Sequence, residues 1–250
     1  MDARKQRIHF IPLESDPEIF TKLIQQGLGI RSLEFQDVLS LDLADLLPGG
    51  PLALPQPIHA FILIFPTTGA YEDELKSARV LARSEGTHYT GHGPAEPVIW
   101  FEQTIHNACG LYAILHAISN LDPNVAKTSV DPESLFGRFL ESCIPLNPEK
   151  RAQALEESLD IAEAYRQAAT QGSTTVPNAE DEVNFHYVCF VKSALNGHLY
   201  DLDGDKNGPL DRDLSLKGDR DMLGAGLTLA KGYVQDGNPN FQLMALVSCS

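Results

Sequence analysis

The chain has 250 residues, 43% of them hydrophobic, which is enough for one large core. Its formal net charge is −15, an acidic balance that argues against nucleic acid as a partner and fits a basic partner surface or plain solubility. The longest apolar run, about Ile58–Phe65, is too short to span a bilayer, so no membrane partner is expected.

The opening Met1–Arg7 is charged and has no apolar stretch of the kind a secretory signal needs. The four cysteines, Cys109, Cys143, Cys189 and Cys249, follow neither zinc-ligand spacing nor a disulfide framework. Reduced thiols predict a cytoplasmic protein, with the nucleus as a second location. Ser15-Asp16-Pro17-Glu18 reads as a capping box ahead of Ile19, Phe20, Leu23 and Ile24 at helical spacing, with Gly27 and Gly29 as the stop. Phe35–Leu39 predicts a short strand, and Ile58–Phe65, closed by Pro66, a buried one. Tyr71–Ser84 has the pattern of an amphipathic helix, and Gly86–Pro97 that of a loop. Val98–Phe101 leads into a helix whose apolar pattern runs through Leu111, Ile114, Leu115 and Ile118. Asn147 and Pro148 open a helix with Leu155, Leu159 and Ala162 on one face and Gly172 as its stop. The polar stretch Ser173–Glu182 predicts a loop. Phe185–Ser193 and His198–Leu202 are strands joined around Asn196-Gly197, and Phe241–Val247 is a final strand. Helices mixed with a hairpin-rich second half predict an α+β fold in one domain.

Cys109 stands where that central helix begins. A thiol at a helix N-terminus meets the positive end of the helix dipole, and a thiolate is the form that attacks carbonyl carbon. Gln103, six positions earlier, supplies an amide that can hold an oxyanion. The hairpin adds His186 in its first strand and Asp201 in its second, an imidazole and a carboxylate that neighbouring strands can bring together. Asp203 competes with Asp201, because strand register decides which carboxylate reaches the ring. Each residue alone has a blander reading: a core cysteine, a satisfied core histidine, a turn-flanking charge, a helix-capping amide. Cys143 and Cys189 read as core. His106 and His116 lie near the nucleophile with no carboxylate in view. His88 and His92 lack further ligands, Asp201–Asp205 fails the calcium-loop pattern, and no phosphate loop is present, so neither metal nor cofactor is expected.

Gln103-Thr104-Ile105-His106-Asn107-Ala108-Cys109-Gly110 resembles the active-site signature of the ubiquitin C-terminal hydrolase family of cysteine peptidases. Phe185–Val188 with Gly197–Gly204 resembles the family's His and Asp block, and Ile11–Glu18 its N-terminal opening. The likeness spans essentially all of residues 1–250. It implies a papain-like fold, an antiparallel sheet flanked by helices with a knotted backbone. It implies Cys109 as nucleophile, His186 as general base and acid, Asp201 as its orienter, and Gln103 in an oxyanion hole with the Cys109 amide. It also implies a crossover loop at about 165–182 arching over the site. The implied activity is a monomeric thiol hydrolase that removes small adducts from the C-terminal glycine of ubiquitin or a ubiquitin-like protein, whose tail is basic. The alternatives are a catalytically silent ubiquitin-binding module and a generic papain-like peptidase. Two positions depart from the family pattern: Leu111 replaces a common Thr, and Asp205 a common basic residue.

Overall fold

A computed structural model describes residues 8–172, 185–217, 219–234 and 240–249. The first helix, α1 (Pro17–Lys22), is capped by Asp16, whose side chain accepts from the Glu18 amide, so the cap falls one residue later than the capping-box reading. It runs into a π-turn at Leu23–Gly27. Strand β1 (Leu33–Asp37) lies two residues earlier than the predicted span, and Leu39 is 71% exposed beyond it. A short helix, α2 (Leu43–Leu46), precedes β2 (Ile58–Pro66) and α3 (Gly69–Glu85). Helices α4 (Cys109–Ser119), α5 (Pro123–Ser129), α6 (Leu135–Cys143), α7 (Pro148–Glu157) and α8 (Leu159–Ala169) follow. The second half of the chain holds β3 (Phe185–Lys192), β4 (His198–Leu202), β5 (Leu210–Ser215), α9 (Asp219–Tyr233) and β6 (Gln242–Ser248).

Among the described residues, six strands form one antiparallel sheet in the order β1-β6-β2-β3-β4-β5. Strand β2 is central and buried on both faces, which explains its unbroken apolar run. Ala60, Ile62 and Ile64 join the core beneath α1 and α4, while Phe61, Leu63 and Phe65 face α9. Gly226 lets α9 approach closely, since a Cβ there would stand 2.3 Å from the Phe61 ring. Helix α4 is buried from Gly110 to Ile118 and packs against β3 and β2, which makes it a rigid base for its first residue.

The predicted helix after Asn147 is two helices. Ser158 breaks the run and caps α8, and Leu159, read as core-facing, is 80% exposed. Residues 165–169 of the expected crossover loop belong to α8, and 173–184 lie outside the described residues. The hairpin turn is closed by the Ser193 amide on the His198 carbonyl at 2.9 Å, with Gly197 at φ +74°. Among the described residues, no helix is long and apolar enough to cross a membrane.

Candidate active site

The site forms where the N-terminus of α4, the start of β3 and the turn after β4 converge. Asn107 takes φ 58°, a left-handed conformation that Asn tolerates better than most residues, and turns the chain into α4. Ala108 gives the helix no side-chain cap. The first-turn amides of a helix are a ready-made place for an anion. Cys109 is the first residue of that turn and is partly exposed. The other thiols are poor nucleophiles. Burial pushes Cys143 up to about 11 and Cys189 well above the ordinary thiol range.

His186, near the start of β3, is 7% exposed and hydrogen-bonds the Cys109 thiol on one side. On the other side its Nε2 meets Asp203 Oδ1 at 2.8 Å. Burial alone would lower the ring's proton affinity. The adjacent Asp203 carboxylate, its hydrogen bond, the Cys109 contact and the Asp205 charge overturn that, and His186 sits well above its ordinary value. Asp203 moves the opposite way. Burial would raise it, but the His186 charge and hydrogen bond, the Lys206 charge and the Asp205 amide hold it below the usual carboxylate value. The two directions agree on an imidazolium–carboxylate pair.

Asp201, predicted as the orienter, is therefore corrected to Asp203. The ladder pairs Cys189 with Leu202 and Phe190 with Asp201. Asp201 thus stands four residues along β3 from His186, about 13 Å at 3.3 Å per residue. Continuing the same register sets Asp203 opposite Val188, within diagonal reach of His186. The Asn196-Gly197 turn, with strands counted outward from it, sets Asp203 nearer to His186 than Asp201, a signal present in the sequence. Asp201 instead is fully buried, and one of its oxygens accepts from Lys206 (3.2 Å), Arg212 (2.5 Å) and Tyr233 (2.6 Å), joining β4 to β5 and α9.

Gln103 borders the same cavity as Cys109 and His186. Its backbone N–H donates to the Gly204 carbonyl at 2.8 Å, and its side-chain oxygen is buried without a hydrogen-bond partner. A Cβ on Gly204 would lie 2.8 Å from Gln103 Cβ, so Gly204 permits the close approach of these two segments. The far end of α4 fixes the run into Gln103. Asn120 pairs with both backbone groups of Ile99 at 2.7 and 2.9 Å, and His116 Nε2 accepts from the Phe101 amide at 3.0 Å. Burial pushes His116 down to about 4, so it is a neutral structural acceptor rather than a base. His106 stacks edge-on against His9, with ring centroids 4.7 Å apart. Its backbone pairs with Ile8 and Phe10. Tyr165 and Tyr187 donate to the carbonyls of Ile11 (2.8 Å) and Leu13 (2.9 Å), seating this segment beside Cys109.

Arg79 on α3 is a functional candidate that sequence reading missed. Its guanidinium donates to Glu102 (2.6 Å), Asp205 (3.2 Å) and the Gln103 carbonyl (3.3 Å). Within α3 it looks like any surface cation on an amphipathic helix, and no local pattern marks it.

Cys109 lies where two cavities meet. One holds Gln103, His186, Arg79 and Asp205; the other is walled by residues 12–15, Tyr187 and 240–242. A thiol backed by an imidazolium–carboxylate pair, beside the Gln103 side chain and the first turn of a helix, is equipped for acyl transfer through a thioester.

Residues 10–227 match the family described as ubiquitin carboxyl-terminal hydrolase, family 1. A ubiquitin carboxyl-terminal hydrolase of Aplysia californica is 35% identical over 209 residues, covering 83% of this chain and 86% of that one. Ubiquitin carboxyl-terminal hydrolase isozyme L1 of Monodelphis domestica is 29% identical over 242 residues, 96% and 98% of the two chains. In fold the chain is similar to Trichinella spiralis UCH37 bound to ubiquitin vinyl methyl ester, with a TM-score of 0.66, 23% identity, and coverage of 96% of this chain and 82% of that one. With its thiol, imidazole and carboxylate assembled at one site, the chain belongs to ubiquitin carboxyl-terminal hydrolase family 1, a family of cysteine peptidases.

Proposed function

We propose that this protein hydrolyses small adducts and short extensions from the C-terminal glycine of ubiquitin or a ubiquitin-like modifier. The observation that carries the reading is the Cys109–His186–Asp203 chain of contacts beside Gln103. The Cys109 thiolate attacks the glycine carbonyl carbon, and the displaced electron pair goes to the carbonyl oxygen. Gln103 and the first amides of α4 hold that oxyanion. Collapse breaks the bond to the leaving nitrogen, oxygen or sulfur, which takes a proton from His186. Water, deprotonated by the now neutral His186, then cleaves the thioester and restores the thiol.

The leaving atom must reach His186, so the leaving group occupies the cavity that contains His186, Gln103 and Arg79. The acyl tail approaches through the other cavity, past Leu13, Glu14 and Phe241. The acidic balance of the chain favours a basic tail there. The protein acts as a cytoplasmic monomer in this reading.

The test is labelling by ubiquitin vinyl methyl ester together with hydrolysis of a ubiquitin C-terminal amide. Wild type is expected to be labelled once per chain and to turn over, and Cys109→Ala to do neither. Turnover that survives in Cys109→Ala would remove Cys109 from the mechanism. Binding of ubiquitin by the wild type without labelling or turnover would mean a capture module instead.

A further inference from the structure

His186 faces two carboxylates. Asp203 engages Nε2, and Asp205 Oδ2 stands 4.0 Å from the other ring nitrogen, Nδ1. The backbone amide of Asp205 also donates to Asp203 Oδ1 at 2.8 Å, so one short turn presents both acids to the ring. Asp205 is not free to swing, because Arg79 holds its Oδ1 at 3.2 Å. The same guanidinium reaches Glu102 and the Gln103 carbonyl, so α3 ties the histidine side of the site to the oxyanion side. Glu102 is further neutralised by Arg83 at 2.6 Å. The ring also meets Cys109 from α4 and the Phe65 ring from β2, edge-on at 5.9 Å, while the Lys206 charge acts on Asp203.

We propose that Asp205 and Arg79 form a positioning pair for His186, in which Asp205 stabilises the protonated ring from its Nδ1 side and Arg79 both anchors and tempers that charge. The inference rests on the hydrolase reading only for its consequence in catalysis. Position 205 is also where the chain departs from the basic residue its family resemblance leads one to expect, so the sign of the charge beside the ring is a property of this chain. The pair acts through His186 and contacts no reacting atom. Its effect is to extend the protonated, leaving-group-donating form of His186 to higher pH, while Arg79 limits the repulsion that Asp205 exerts on the Cys109 thiolate.

Two changes of opposite sign test this. Asp205→Asn removes the carboxylate at nearly constant shape. Asp205 is partly exposed and shares its charge with Arg79, so its effect on the ring about 4 Å away is expected to be about 0.7 of a pH unit, or about 1 kcal/mol. The His186 ring titration, followed by NMR of histidine-labelled protein without substrate, is expected to fall by about 0.5–1 unit. Arg79→Met removes the countercharge and is expected to raise the same midpoint, whereas Arg79→Lys keeps the charge and stays near wild type. The alkaline limb of kcat/KM on a ubiquitin C-terminal amide should follow both shifts. A purely structural pair would lower kcat in every variant without opposed shifts. An unmoved midpoint in Asp205→Asn, or a shift in the same direction for Asp205→Asn and Arg79→Met, overturns the proposal. Should Arg79→Met fail to fold, Asp205→Asn against Arg79→Lys decides by the same midpoint. A wild type that hydrolyses nothing would defeat the proposed function but leave the ring titration decisive for the pair.

Discussion

Two aspartates two residues apart, Asp201 and Asp203, are expected to behave as different kinds of residue when each is changed to Asn. Asp203→Asn keeps an oxygen that can accept from His186 Nε2 at 2.8 Å but removes the buried charge opposite the imidazolium. Hydrogen bonds to charged groups contribute about 1.5–3 kcal/mol. At 1.36 kcal/mol per pKa unit, that lowers the proton affinity of His186 by about 1–2 units. The folded-state value of His186 is raised, so its stabilising contribution is fully present below its unfolded value of about 6.5 and fades as pH rises through the folded value. The contribution of Asp203, whose folded value is depressed, is present above its unfolded value and fades as pH falls through the folded one. The pair therefore stabilises most between about pH 4 and 6.5. Asp203→Asn should flatten stability in that window, pull in the alkaline limb of kcat/KM by about 1–2 pH units, and reduce activity at neutral pH by about 10- to 100-fold. Asn serves as the orienting residue in papain-like triads, so the loss should stop short of abolition. Asp201→Asn should leave the limb in place and instead lower thermal stability, because it strips the charge that Lys206, Arg212 and Tyr233 share. The assay is the pH profile of ubiquitin-amide hydrolysis for the three proteins, paired with thermal melts. An alkaline limb that moves in Asp201→Asn and stays put in Asp203→Asn would refute the register argument.

Gly204→Ala should cut kcat by about 10- to 100-fold with a small change in melting temperature, because its Cβ would displace Gln103 from 2.8 Å; full activity would show that the Gln103 position is not critical. Arg151→Met should destabilise the fold by about 3–5 kcal/mol in denaturant unfolding, since it leaves the buried Glu96 without its countercharge, with the Tyr89 hydroxyl as its remaining donor; a cost below about 1 kcal/mol would contradict that account. Raising salt should lower kcat/KM for ubiquitin substrates through weaker encounter between the acidic chain and a basic tail; a flat salt response would remove the electrostatic contribution.

Much of this protein was legible locally. Cys109 opening a helix, the buried strand at Ile58–Pro66, the His186 strand and the final strand all carry their own periodicity and caps, and the structure contains each of them. Helices α6 and α9 were equally legible in the spacing of Phe136, Phe139 and Cys143 and of Leu223, Leu227 and Ala230, although they were not anticipated. The break at Ser158 was harder, because Leu159 continues the apolar pattern while facing solvent. What sequence alone determined was which groups are present and on which kind of element, since side-chain period and capping are properties of neighbouring residues. Tertiary structure decided which groups meet. Asp201 and Asp203 share a face of the hairpin and are chemically identical, so only the distance along the ladder separates the buried anchor from the partner of His186. Arg79 reaches Asp205 and Gln103 only because α3 packs across residues far from it in sequence.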